Sequence, residues 1–230
     1  MTHYIGHFGE HSSDYLRFRP TYPKGLFQFL TKQVNEHELA WDCGTGNGQA
    51  AFVLSEYFKN VIGTDINQAQ LDVALKNDNI SYHAWPSENT KIPDASVDLI
   101  TAAQAIHWFN LDAFYQEVRR VAKPKGIIAV WCYSLATVNR EVDAWIKKLY
   151  EDILGNKYWS KERKYIDEEY KTLPFPFKKI EHPEFSIQKK FNFEQILGYL
   201  NTWSAVKEYQ KINQQNPLDL IYTEFQKNLG

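Results

Sequence analysis

The sequence predicts an α/β fold, a doubly wound and mostly parallel sheet carrying a mainly helical cap. Three observations point there. From Lys24 to about Ser134 the hydrophobic spacing switches repeatedly between helical periodicity and short apolar runs, the pattern of helices alternating with buried parallel strands. A glycine-rich turn, Asp42-Cys43-Gly44-Thr45-Gly46-Asn47-Gly48, stands between the first strand and the helix after it. Beyond Tyr133 the pattern changes to amphipathic helices with one further strand.

Taken in order, Leu26, Phe27, Phe29, Leu30 and Val34 recur at three- and four-residue spacing and predict a helix, followed by a strand at Leu39 to Asp42. Ala50, Val53 and Leu54 open the next helical face. Strands read at Val61 to Thr64, Ile80 to Ala84, Val97 to Ala102 and Ile127 to Tyr133, with helices at Gln68 to Leu75 and Leu111 to Val121. Pro124, Lys125 and Gly126 read as the turn closing that last helix, since Pro cannot continue it and Gly tolerates a left-handed backbone. Val142, Trp145, Ile146, Leu149 and Ile153 mark an amphipathic helix, and a charged, aromatic stretch runs on to Pro176. Lys179 to Gln188 reads as a strand returning to the sheet edge, and helices follow at Phe193 to Leu200, Ala205 to Ile212 and Leu218 to Leu229. The expected organisation is a core over 1–134 with an N-terminal cover segment, a helical cap over 135–178, and a sheet-edge strand with C-terminal helices over 179–230.

Composition narrows the function classes. With 230 residues, 43% of them apolar and 23% charged, the chain can bury a sizeable core and is neither disordered nor fibrous. The net charge of −2 divides as −3 before Ser134 and +1 from it onward, so no basic half suggests a nucleic-acid backbone as partner. The longest apolar run, Ile127 to Tyr133, has seven residues, against the roughly 20 of a membrane helix. The opening Met1 to Ser13 lacks a basic region followed by an apolar one, so a cytoplasmic protein is the expectation. Cys43 and Cys132 read as small core residues, and the seven histidines lack paired helical spacing, so no metal site is expected.

The chemistry concentrates in the glycine turn. Glycines at a strand end let the backbone approach a ligand closely, and the N–H groups opening the next helix form an electropositive end. A dinucleotide loop would read G-x-G-x-x-G, but Gln49 occupies the third glycine's place. Asp65 follows the second strand, 23 residues after Asp42, where a carboxylate can accept from two ribose hydroxyls.

An acidic residue two before G-x-G-x-G resembles motif I of the class I S-adenosylmethionine-dependent methyltransferases. Ser87-Glu88 with Ile92-Pro93-Asp94-Ala95-Ser96-Val97-Asp98-Leu99-Ile100 resembles that superfamily's "AExLPFPDxSFDLV" stretch, and Lys125-Gly126 its "LKPGG" turn. Three further segments are similar to the small-molecule branch related to trans-aconitate methyltransferase. They are Tyr15, Arg17, Arg19-Pro20 and Tyr22-Pro23 near the start, Thr101 to Phe109 with its "QAIHWF", and Gly198 to Ala205, "GYLNTWSA". The resemblance implies a Rossmann-like fold and S-adenosyl-L-methionine as cofactor. Relatives close with another strand after the last helix, whereas this chain still reads helical near Gly230, so the final edge strand is either lost or the chain shortened.

Carried onto this sequence, the resemblance assigns Tyr15, Arg19, Asp42, Gly44, Thr45, Gly46, Asp65, Ile66, Ser87, Glu88 and Gln104 to the cofactor. Arg19 would pair with its methionine carboxylate or with an acidic substrate. His107 is the only His, Asp, Glu or Lys from Thr101 to Phe109, at the end of strand four where open α/β sheets bind ligands. It is the candidate catalytic residue, as a polar contact to the acceptor or as a general base; packing on Trp108 is the structural alternative. Trp108, Phe109, Trp159 and Trp203 would wall an acceptor pocket, unless they are core. The expected activity is methyl transfer by in-line displacement to a small-molecule acceptor, a carboxylate in the leading reading, which is already ionised and needs no base. The alternatives are a lipid- or quinone-type C- or N-methyltransferase of the same fold, or a non-catalytic cofactor-binding interaction protein. No nucleic-acid partner and no membrane span are expected.

Overall fold

The computed structural model describes residues 18–223. The described residues divide into two compact units, one of residues 21–133 with 168–188, the other of 18–20, 134–167 and 189–223.

The first unit is built on five parallel strands: β1 (Leu39–Cys43), β2 (Asn60–Thr64), β3 (Ile80–His83), β4 (Val97–Ala103) and β5 (Ala122–Trp131), in the order β3-β2-β1-β4-β5. Strands covered on both faces are mostly apolar, and the first six residues of β4 are all buried, Asp98 and Thr101 among them with hydrogen-bond partners. Between the strands lie α1 (Lys24–Thr31, preceding β1), α2 (Gln49–Leu54), α3 (Gln68–Asp72) and α4 (Leu111–Val121). Asn67 and Asn110 cap α3 and α4, their side-chain oxygens accepting from Ala69 N at 3.0 Å and Ala113 N at 3.4 Å. One face of the sheet packs Ala40, Val61 and Leu99 against Phe27, Leu30, Ala51 and Leu54 from α1 and α2. The strand order reverses at β1 and β4, so their carboxyl ends form the crevice in which such sheets bind ligands.

Two expectations change here. Pro124, Lys125 and Gly126 do not close a helix: α4 ends at Val121, and the three residues make an irregularity inside β5. The pairing steps from Val97↔Ala122 to Leu99↔Ile127, with Lys125 at φ +70° absorbing the extra chain. Lys179 to Gln188 forms no strand. Its alternation of apolar and polar residues mimics one, but Pro183 cannot donate to a ladder, and Phe185 is held through its ring, 5.8 Å from that of Phe29. Among the described residues the sheet therefore ends at β5.

The second unit is helical: α5 (Arg140–Lys147), a π-helical stretch over Lys148–Leu154, then α6 (Gly155–Tyr158), α7 (Arg163–Asp167), α8 (Phe193–Asn201) and α9 (Ser204–Asn213). The predicted helix from Leu218 begins as a 3₁₀ turn at Pro217–Leu220. Asn192 and Gln195 form a reciprocal capping box on α8, both bonds 2.9 Å. Val142, Ile146, Leu149, Leu200, Trp203, Val206 and Ile221 are its buried core.

Candidate functional site

The glycine turn leaves β1 over the crevice. Gly44, Gly46 and Gly48 all have positive φ, at +66°, +55° and +79°. At Gly44 the absence of a side chain is also steric: a Cβ there would stand 2.5 Å from Ala105 Cβ and 3.0 Å from Phe109 Cζ. The Ala105–Phe109 segment that follows β4 therefore lies directly on the glycine turn. A Cβ on Gly48 would strike the Tyr82 hydroxyl, which donates to Leu75 O at 2.6 Å.

Asp42 holds this arrangement from below. It is 1% exposed, with Oδ2 accepting from Thr45 Oγ1 at 2.6 Å and Ala51 N at 3.2 Å, and Oδ1 from Thr101 Oγ1 at 2.7 Å. One carboxylate thus ties the loop, α2 and β4 together. Burial raises its pKa to about 6, against the lowering effect of those hydrogen bonds. Of the residues assigned to the cofactor, Asp42 and Thr45 turn their polar atoms inward. Thr101 is not among the sequence-predicted site residues, although a hydroxyl in a buried strand needs a partner and so carries a signal.

Asp65 is half-buried at the end of β2, its Oδ2 accepting from Gly46 N and Oδ1 from Asn67 N, both at 2.9 Å. Burial raises its pKa. Each oxygen keeps a lone pair beyond these bonds. Beside it, Ile66 is 58% exposed, an apolar side chain left on the surface next to a carboxylate. Asn47, 2% exposed within the turn, has its Nδ2 buried without a hydrogen-bond partner among the described residues. Ser87 is buried and donates to Glu88 Oε2 at 2.9 Å, Glu88 itself being exposed.

Gln104 has φ +55°, its N–H donates to Trp131 O at 2.9 Å and its Nε2 to Tyr133 O at 2.8 Å, so it braces the exit of β5. His107 lies in a 3₁₀ turn, Ile106–Trp108, and is 7% exposed. Its ring stands 4.8 Å from that of Trp108, and Nδ1 is 2.8 Å from the Tyr170 hydroxyl. Phe109 packs on Phe114 at 4.9 Å.

The remaining predicted residues belong to the other unit or lie outside the description. Tyr15 falls outside the described residues. Arg19 donates from Nη2 to Thr202 O at 3.2 Å and lies over the Tyr199 ring at 5.4 Å. Trp159 and Trp203 pack together at 5.6 Å, Trp203 buried and Trp159 covered by the Arg163 guanidinium at 4.6 Å. Among the described residues no cluster of His, Cys, Asp or Glu could hold a metal ion, and no helix is long and apolar enough to cross a membrane.

Residues 41–130 match the family model described as a methyltransferase domain. A Dictyostelium discoideum protein that carries a methyltransferase name is 38% identical over 217 residues, covering 93% of this chain and 82% of that one. A Saccharomyces cerevisiae protein named for an S-adenosylmethionine-dependent methyltransferase is 36% identical over 131 residues, 53% of this chain and 45% of its own length. Among solved structures, an Anaeromyxobacter dehalogenans protein named for a type II methyltransferase shares 41% identity and superposes with a TM-score of 0.85, over 93% of this chain and 90% of that one.

Proposed function

Because this chain belongs to the class I S-adenosylmethionine-dependent methyltransferase family, we propose that it methylates a carboxylate oxygen of a small organic acid, by in-line displacement at the sulfonium methyl carbon. S-adenosylmethionine, when bound, supplies a methyl group on a positively charged sulfur. The chain's part is to bind, orient and exclude water.

The crevice has features that suit this cofactor. The turn from Gly44 to Gly48 permits close backbone approach, and Asn47 Nδ2 is a buried donor without a partner among the described residues. Asp65 would take the ribose hydroxyls on its spare lone pairs, with Ile66 giving an apolar face for the adenine. Ser87 and Glu88 would reach the polar edge of the base. Asp42 and Thr45 act one step removed, by holding the turn in shape. Gly44 to Gly46, and Gln104 through its hold on β5, would bound the methionine end.

The observation that carries the acceptor class is His107. It is the only ionisable side chain from Thr101 to Phe109, and its Nδ1 is already engaged by Tyr170. A hydroxyl, phenol or ammonium acceptor needs a group to take its proton, whereas a carboxylate does not. His107 would therefore hold the acceptor, with Trp108 and Phe109 supplying apolar surface beside it.

Calorimetric titration with S-adenosylmethionine, S-adenosylhomocysteine and NAD tests the cofactor assignment. Binding of the first two without NAD is expected, and binding of NAD alone would overturn it. Incubation with a panel of organic acids, read as a 14 Da mass gain that mild alkali removes, tests the ester. A gain that survives alkali would place the methyl on an atom other than a carboxylate oxygen and overturn the ester.

A further inference from the structure

We propose that Tyr170 is a positioning residue for His107: its hydroxyl donates into Nδ1 and so leaves the imidazole proton on Nε2.

The contact is deliberately built. Tyr170 stands 63 residues from His107 in sequence, in the segment 168–188 that packs with the sheet unit. Both Glu169 and Tyr170 have left-handed backbones, φ +53° and +59°, which bulky side chains rarely adopt. The segment is anchored on either side of that turn. Lys171 N donates to Glu168 O at 2.9 Å and Leu173 N to Tyr170 O at 3.2 Å. Tyr115 donates its hydroxyl to Pro174 O at 2.5 Å, with the Phe177 ring 5.4 Å from its own. An unfavourable backbone held in place by its surroundings is what a side chain with a positional task requires.

The direction of the bond follows from acid strength. A phenol with an ordinary pKa of about 10 is the better donor, and an imidazole nitrogen, with a conjugate acid near 6.5, the better acceptor. In a neutral imidazole one nitrogen donates and the other accepts, so the bond made at Nδ1 decides what Nε2 is. With the proton on Nε2, that nitrogen donates a hydrogen bond and cannot take up a second proton. His107 is then a hydrogen-bond donor at Nε2, and not a general base. This deepens the reading of His107 given above and rests on it.

The test is a long-range proton–nitrogen spectrum of the full-length protein labelled in its histidines. The His107 signals are assigned with His107→Gln or, if that variant does not fold, by through-bond correlation to the backbone of residue 107. At neutral pH the parent should show one tautomer, Nε2 protonated and Nδ1 shifted as a hydrogen-bonded acceptor. Tyr170→Phe should remove that shift and give an exchange-averaged mixture of tautomers. Should Tyr170→Phe not fold, protein made with 3-fluorotyrosine, a more acidic phenol, should move the Nδ1 signal further in the same direction. A proton on Nδ1 in the parent, or a spectrum that Tyr170→Phe leaves unchanged, would overturn the proposal. The spectrum needs no methyl transfer, so its failure is separable from failure of the cofactor titration.

Discussion

Gly44→Ala is the substitution whose cost the geometry defines most closely. A side chain at φ +66° meets the left-handed penalty of about 1–2 kcal/mol. Its methyl would stand 2.5 Å from Ala105 Cβ, a contact that only backbone movement can relieve, and overpacking of this kind costs about 1–3 kcal/mol. The sum is about 2–5 kcal/mol. Ala105→Gly removes the opposing methyl and costs about 0.5–1 kcal/mol by itself. In that background Gly44→Ala should keep its backbone penalty and a smaller contact with Phe109 Cζ at 3.0 Å, but lose the methyl–methyl term. The double variant should therefore be about 1–3 kcal/mol more stable than the two single losses added together. Urea unfolding of parent, both single variants and the double variant reads this coupling from the midpoints at constant slope. Additivity to within about 0.5 kcal/mol would refute the claim that the β4 segment rests on the glycine turn.

Asp65→Ala should weaken S-adenosylmethionine binding by about 100-fold or more in calorimetry, because two hydrogen bonds to a charged acceptor are lost at about 1.5–3 kcal/mol each. His107→Ala should leave that affinity nearly unchanged while lowering methyl transfer, and comparable losses in both would place His107 with the cofactor instead. Asp42 gives a pH signature: its folded pKa of about 6 lies above its ordinary value, so the folded state holds the proton more tightly. Relative to Asp42→Asn, the parent should be most stable below pH 4 and lose up to about 3 kcal/mol as pH rises through 6 to about 7, read from urea midpoints across that window. Asn192→Ala should cost about 1–2 kcal/mol through loss of the α8 capping box, measured the same way.

What could be read before the fold was known depended on how local each determinant is. The five strands were legible because each is a short apolar run between turn residues, and the binding crevice because its glycines and Asp65 sit at strand ends. The π-helical Lys148–Leu154 was not, since Leu149 and Ile153 keep a four-residue spacing that an α-helix would also show. Arg163–Asp167 is too short to display a period. The partners of the site residues were the least legible. Thr101 reaches Asp42 across 59 residues, Gln104 reaches Tyr133 across 29, and Tyr170 reaches His107 across 63. Those pairings are set by strand order and chain return, which no window of sequence contains.

Cys43 gives the cofactor crevice a built-in reporter. It closes β1 immediately before Gly44, has no exposed surface, and burial pushes its thiol well above the ordinary range. A thiol reagent can reach it only when the end of β1 opens, so its labelling rate measures the free energy of that opening. Cys132, only half-buried just past β5, supplies a faster internal standard on the same chain. If the ligand binds only the closed crevice, saturating S-adenosylmethionine should slow Cys43 labelling by the factor one plus concentration over Kd. Two cysteines thus turn a buried strand end into a clock for ligand occupancy, readable by mass spectrometry without any knowledge of the methyl acceptor.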